Sequence, residues 1–335
     1  MTDPTHRETF AFLDRLRLEV RGDRLALAHF RAEYGRALAD PGAEADLVVS
    51  FGRTPPGSRA FEAGYRSLRW RVALDPLGNA PLRATIDLRG APRRFGLSLL
   101  QGYVVEPLLG LLAPAAEHVL LPSAAVTSEG GALLLLGRSR SGKSSLVART
   151  AVAGTGVLGD DHVLVGAAGC RAFPRRLRLY PDVAETAPAA RAALPARTRA
   201  LLRGLGFVRT ATGGAVAPPV RVPVETLGTV IRDPLPLVRV VVLERSAVPR
   251  LVVEELSLDK LVAAASGILR EQRRALEHVE DPRWREHLNH VLAEEARLLR
   301  EAFAQAMAVA RLIVPTHLPA GQSVAAIAAE LAVGV

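Results

Sequence analysis

Cys170 is the only cysteine in this chain. One thiol excludes an intramolecular disulfide and any metal site built from several thiolates. Aromatic residues make up only 4%, and with the abundance of Ala, Arg, Leu and Val this reads as a compositional bias of the genome, not as a functional signal. The opening segment, Met1 to Glu8, has no apolar core and does not read as a secretory leader. The most apolar long window, Leu97 to Ala116, is interrupted by Gln101, Glu106 and Pro107, so a buried helix is expected there and no membrane span. The histidines lack metal-ligand spacing, and no zinc site is expected. Negative charge is in deficit, leaving a formal net charge of +9 that suits an acidic partner or surface. The arginines are nevertheless spread along the chain, without a basic tail or interleaved aromatics, which argues against nucleic acid. The expectation is a reduced, cytoplasmic, soluble protein.

What is present is ample core material: 49% hydrophobic residues over 335 positions, enough for one large domain or two ordinary ones. Leu16 to Val20 alternates apolar and charged residues as a half-buried strand does, and Arg24 to Ala37 has helical spacing. Strands are expected at 46–51, 68–74 and 82–88, the last two separated by the turn signal Asp75-Pro76-Leu77-Gly78-Asn79 and therefore antiparallel. A helix from about Leu97 to Leu112 completes a small α+β module over residues 1–115. Residues 116–255 form the central part and 256–335 a helical region, broken at Pro282, with one long helix from about Arg283 to Val314. Two segments, Pro181 to Pro195 and Thr210 to Pro223, read as mobile loops.

The central part holds the most specific motif. Gly137-Arg138-Ser139-Arg140-Ser141-Gly142-Lys143-Ser144 follows the apolar run 132–136, a buried strand, and precedes Ser145 to Arg149, the start of a helix. This is a phosphate-binding loop in its proper strand–loop–helix setting. Its glycines let backbone N–H groups converge on phosphate oxygens, the helix N-terminus adds a positive dipole, and Lys143 supplies a mobile cation. Ser144 offers a hydroxyl to Mg²⁺, and Ser145 continues the cradle. Arg138 and Arg140 either contact the nucleotide or face solvent, the latter being favoured.

Asp160 and Asp161 follow at the end of a second apolar run, 154–158. Adjacent carboxylates at a strand end beside such a loop suit metal binding by one and proton acceptance by the other. The plainer alternative is a polar turn. Beyond them a strand at 162–165, a Gly-rich turn and another apolar run give a hairpin rhythm, which favours a mixed, partly antiparallel sheet over a doubly wound parallel one.

Strand–GRSRSGKSS–helix followed by VLGDDHV resembles the catalytic core of HPr kinase/phosphorylase and its kinase-like relatives, which share a fold with ATP-dependent phosphoenolpyruvate carboxykinases. The resemblance covers roughly Leu120 to Leu243. It implies an α+β fold with a P-loop on a mixed sheet, ATP and Mg²⁺ as cofactors, Asp160 as general base and Asp161 as metal-side carboxylate. It makes Arg175, Arg176 and Arg178 candidate phosphate or substrate contacts, with solvated surface as the alternative, and it raises a homo-oligomer. The chain departs from the family where a histidine is expected before the loop, having Pro122-Ser123-Ala124-Ala125 there. It also has Leu201 where the family's Glu-x-Arg-Gly-Leu-Gly segment has its metal-binding Glu, leaving Asp182 and Glu185 as substitutes and Gly204 as a helix C-cap. The leading expectation is a kinase transferring the γ-phosphoryl of ATP to a hydroxyl, a serine of a protein or peptide. The alternative is a nucleotide-binding regulatory protein without phosphotransfer.

Overall fold

The alternating segment at 16–20 is a strand in the computed structural model, which describes residues 6–40, 42–55, 60–77, 80–213, 218–231, 233–279 and 281–332. The chain divides into two compact units, Met1–Leu120 with Leu269–Leu298, and Leu121–Ile268 with Leu299–Val335.

In the first unit β1 (Arg7–Leu13) and β2 (Leu16–Arg21) form a hairpin. Asp23 then caps α1 (Arg24–Tyr34), its carboxylate accepting the Ala26 N–H at 2.9 Å and so satisfying one of the donors a helix start leaves open. β3 (Leu47–Phe51), β4 (Ala60–Tyr65), β5 (Leu68–Leu74) and β6 (Leu82–Arg89) complete a six-stranded sheet of order β1-β2-β3-β6-β5-β4. The β2–β3 and β3–β6 pairs are parallel, and β5–β6 is the expected antiparallel pair. Residues 78–79 of the turn between them lie outside the described residues.

The apolar window is α2 (Arg93–Leu100), a π-helical turn at 101–105, and α3 (Glu106–Leu112). The run Arg93–Ala116 is long and apolar enough to cross a membrane, and 67% of its most apolar window is buried within the fold. Its two polar interruptions are buried and answered. Gln101 and Tyr34 each donate to Glu106 Oε1, both at 2.9 Å.

β7 (His118–Leu121) leads to β8 (Ala124–Ser128) and β9 (Gly131–Gly137). Every residue of β9 is buried, as expected for a strand covered on both faces. There follow α4 (Lys143–Val152), β10 (Val157–Gly159), the hairpin β11 (Val163–Gly166) and β12 (Gly169–Ala172), and β13 (Leu177–Leu179).

The first segment expected to be loop, 181–195, is largely helical, with α5 (Val183–Thr186) and α6 (Pro188–Ala193); α7 (Ala196–Ala211) follows it. Pro188 and Pro195 sit at helix starts, where a missing N–H costs nothing, so prolines that read as loop signals open helices here. Residues 214–217 of the second expected loop lie outside the described residues, and β14 (Val220–Val222) pairs with β13.

Next come β15 (Leu237–Ser246), β16 (Val252–Glu255), α8 (Leu258–Arg273) and α9 (Pro282–Phe303). The long C-terminal helix stops at Phe303, short of its expected end. Residues 308–315 are instead β17 (Ala308–Pro315), where β-branched Val309, Ile313 and Val314 suit a strand laid parallel against β15. α10 (Ala320–Leu331) follows.

The second unit's main sheet has order β10-β8-β9-β15-β17-β16, parallel at β9–β15 and β15–β17 and antiparallel at its edges. Leu146 and Val147 of α4, Ala190 of α6, and Val324 and Ile327 of α10 share one buried cluster with Leu133, Leu135, Val241 and Leu243 of the sheet. The protein is therefore α+β, with mixed sheets and C-terminal helices.

Candidate functional site

The loop between β9 and α4 is shaped by three residues with positive φ: Arg140, at 68°, and two glycines. Gly137 has φ 151° and Gly142 φ 103°. A Cβ on Gly137 would stand 2.7 Å from the Leu243 carbonyl oxygen and 2.8 Å from Ser141 Oγ, so a side chain there has neither the conformation nor the room. Gly142 abuts Val324 and Ile327, which places α10 directly beneath the loop. Arg138, Ser139 and Arg140 are exposed and Ser141 is buried.

Lys143, the first residue of α4, turns its ammonium back onto the loop. It donates to the carbonyl oxygens of Gly137 at 2.5 Å and Arg138 at 3.1 Å. Burial pulls its pKa down, against the pull of Asp161 and Asp160. Ser144 donates its hydroxyl to Asp160 Oδ1 at 2.8 Å, and Ser145 follows in the first helical turn.

The two carboxylates stand at the end of β10 in very different surroundings. Asp160 is fully buried, and among the described residues its second oxygen accepts the Arg178 N–H, at 3.3 Å. Burial, and next the charge of Asp161, push its pKa up to about 7, while the Ser144 hydrogen bond, Lys143 and Arg175 pull it back. Asp161 is 24% exposed and adopts φ 73°, an uncommon conformation for a non-glycine residue. Its backbone carbonyl accepts the Ser123 N–H at 3.0 Å. Its carboxylate lies 2.9 Å from Arg178 Nε and 3.5 Å from Arg175 Nη1.

Arg175 and Arg178, expected to meet phosphate or substrate, are thus gathered on Asp161, while Arg176 is half-buried next to them in sequence. Arg175 is 2% exposed and sets Nη1 3.1 Å from His162 Nδ1, which accounts for a histidine directly after the carboxylates. Sequence reasoning missed Tyr180. Burial, and after it the charges of Asp161 and Asp160, raise its hydroxyl pKa, which puts it within reach of their field. The signal available was its position, two residues beyond Arg178.

Other expected candidates fall elsewhere. Asp182 pairs with Arg209 at 3.2 Å and Glu185 is exposed. Gly204 is no C-cap, because α7 continues to Ala211. Among the described residues no cluster of three or more His, Cys, Asp and Glu side chains is arranged to hold a metal. Ser144 and Asp160 nevertheless provide two adjacent hard oxygen donors, a set that suits Mg²⁺ when phosphate and water complete its shell. Volume alone does not mark the site: a cleft of about 920 Å³ in the first unit, beside β4, is lined by His278, Asp281 and Arg283 without a nucleophile and base in register. No model of a known protein family matches this chain, and no curated protein matches it.

Proposed function

We propose that this protein is an ATP-dependent kinase of the HPr kinase-like kind, transferring the γ-phosphoryl to a serine hydroxyl of a protein or peptide. The observation that carries the reading is the 2.8 Å hydrogen bond from Ser144 to a fully buried Asp160, at the foot of a glycine-framed loop that opens a helix. The loop N–H groups and Lys143 hold the β- and γ-phosphates, Lys143 exchanging the Gly137 and Arg138 carbonyls for phosphate oxygens. When bound, Mg²⁺ neutralises charge developing on the transferred phosphoryl.

The resemblance gives the proton to Asp160 and the metal to Asp161; the contacts favour the exchange of these roles. Asp160 shares a hydrogen bond with the loop hydroxyl and has no exposed surface, so it serves the metal with Ser144. Asp161 is the carboxylate that solvent and an acceptor hydroxyl reach. Arg178 and Arg175 orient it for taking the proton. A non-catalytic reading is favoured by one observation: the Lys143 ammonium is already satisfied by the Gly137 and Arg138 carbonyls, a closed arrangement that suits a nucleotide sensor.

Incubation with γ-labelled ATP, Mg²⁺ and cell extract, beside a Lys143→Ala control, separates the two. Discrete labelled protein that is absent from the control is the expected result. Tight ATP binding without transfer to any acceptor moves the assignment to the sensor. Mn²⁺ binding followed by electron paramagnetic resonance separates the carboxylates: Asp160→Asn is expected to lose it and Asp161→Asn to keep it.

A further inference from the structure

α7 is sixteen residues long, yet Leu202 is its one buried residue. Leu201, Phe207 and Val208 are 53%, 77% and 38% exposed. Arg197, Leu201, Gly204 and Val208 fall at i, i+4, i+7 and i+11, which places them on one stripe of the helix, with Phe207 and Arg203 beside it. The helix contains four arginines and no acidic residue. Arg199 is used internally, donating to the Leu194 carbonyl at 2.6 Å, and Arg209 pairs with Asp182. Arg197 and Arg203 are exposed and, among the described residues, have no ion-pair partner. An apolar stripe flanked by cations is thus turned to solvent, and its position is fixed by the contacts of Arg209 and Leu202.

Its place matters as much as its chemistry. Gly206 approaches Pro181, and Arg209 holds Asp182, the two residues that follow Tyr180. Tyr180 directly follows β13, whose Arg178 sets Nε 2.9 Å from the Asp161 carboxylate. α7 is therefore tied to the segment beside the carboxylate pair.

We propose that the outer face of α7 docks an acidic, apolar-bearing segment of the acceptor protein and so presents its serine to Asp161. The role of what docks rests on the kinase reading; the docking itself does not. Charge selects this occupant. A second copy, also at a net charge of +9, would bring arginine against arginine across a two-fold axis. An anionic bilayer would find only three large apolar side chains, a small apolar area for a helix whose membrane binding scales with the area it buries. An acidic helix or strand with two or three apolar side chains matches both the stripe and the flanking cations.

The test uses the full chain and a fluorescent synthetic peptide of glutamate and leucine at helical spacing with one serine. A lysine-for-glutamate counterpart and phosphatidylglycerol–phosphatidylcholine vesicles serve as rival probes. The acidic peptide is expected to bind, and Arg197→Glu with Arg203→Glu to weaken it about tenfold or more. Phe207→Ser is expected to weaken it on the order of tenfold. Arg270→Glu with Arg285→Glu, an equal change of charge at two other exposed sites, leaves binding unchanged. Equal loss in both double variants, or no binding of the acidic peptide, overturns the proposal. So does vesicle binding that depends on α7 while the peptide is ignored, which assigns the face to a bilayer. Peptide bound through α7, with neither it nor any extract protein phosphorylated, removes the kinase reading and leaves the docking; phosphorylation indifferent to both α7 variants does the reverse.

Discussion

Two buried carboxylates, one in each unit, are handled in opposite ways. Glu295 in the first unit is wholly buried and grasped by both terminal nitrogens of Arg273, one of the two hydrogen bonds measuring 2.6 Å. Burial raises its pKa, and Arg273 opposes the rise. Asp160 in the second unit is equally buried, but its partners are one hydroxyl and one distant N–H, and the nearest carboxylate adds like charge. A buried charge that is fully matched belongs to the fold, whereas one with weaker partners and a strongly shifted pKa marks a candidate functional site.

That contrast can be broken first at Arg273. Arg273→Met strands a buried carboxylate, and a loss of about 3–5 kcal/mol in urea unfolding is expected. Adding Glu295→Leu to the same chain recovers most of it. A single variant as stable as the parent would mean that Glu295 is not held by its partner at all.

Asp160 gives the opposite sign. Its folded pKa, about 7, lies above that of an unfolded aspartate, so the folded state binds the extra proton between roughly pH 4 and 7. The wild-type chain therefore loses stability as pH rises through that window and stays lower above it. Asp160→Asn removes the titration and is expected to be the more stable by about 2–4 kcal/mol at pH 8, the advantage vanishing near pH 4. A destabilised Asn variant at pH 8 would place Asp160 with Glu295, among the structural carboxylates.

The smallest effect belongs to a pair at the surface. Arg311 reaches Glu254 across β16–β17 with Nε at 3.0 Å, both side chains about one-third exposed or more. Arg311→Ala is expected to cost less than ~1 kcal/mol by thermal melting. A larger loss would show that pairing, not burial, sets the scale of these charges.

Local chemistry made much of this legible. The loop from Gly137 to Ser144 and the carboxylates after β10 read directly, because backbone curvature and charge demand particular residues at particular steps. Strands β3, β5 and β6 and the β11–β12 hairpin read from alternation and turn residues. What did not read depends on partners distant in sequence. Residues 308–315 look like the tail of a helix until β15 is known to need a parallel neighbour. The return of Leu269–Leu298 to the first unit leaves no mark in composition. The environment that separates Asp160 from Asp161 comes from the burial of the first and from the ion pairs of the second with Arg175 and Arg178, which arrive on β13 and the segment before it.

The place of β15 in its sheet also governs when the molecule becomes complete during synthesis. β9 ends at Gly137, and the strand that flanks it, opposite its hairpin partner β8, begins at Leu237. At ~5–20 residues per second, that neighbour emerges from the ribosome roughly 5–20 s later. For that interval the Leu133–Leu136 run presents an unpaired apolar edge, the kind of surface on which nascent chains aggregate or recruit chaperones. Production of this protein is therefore expected to be limited by that waiting period more than by the stability of the finished fold.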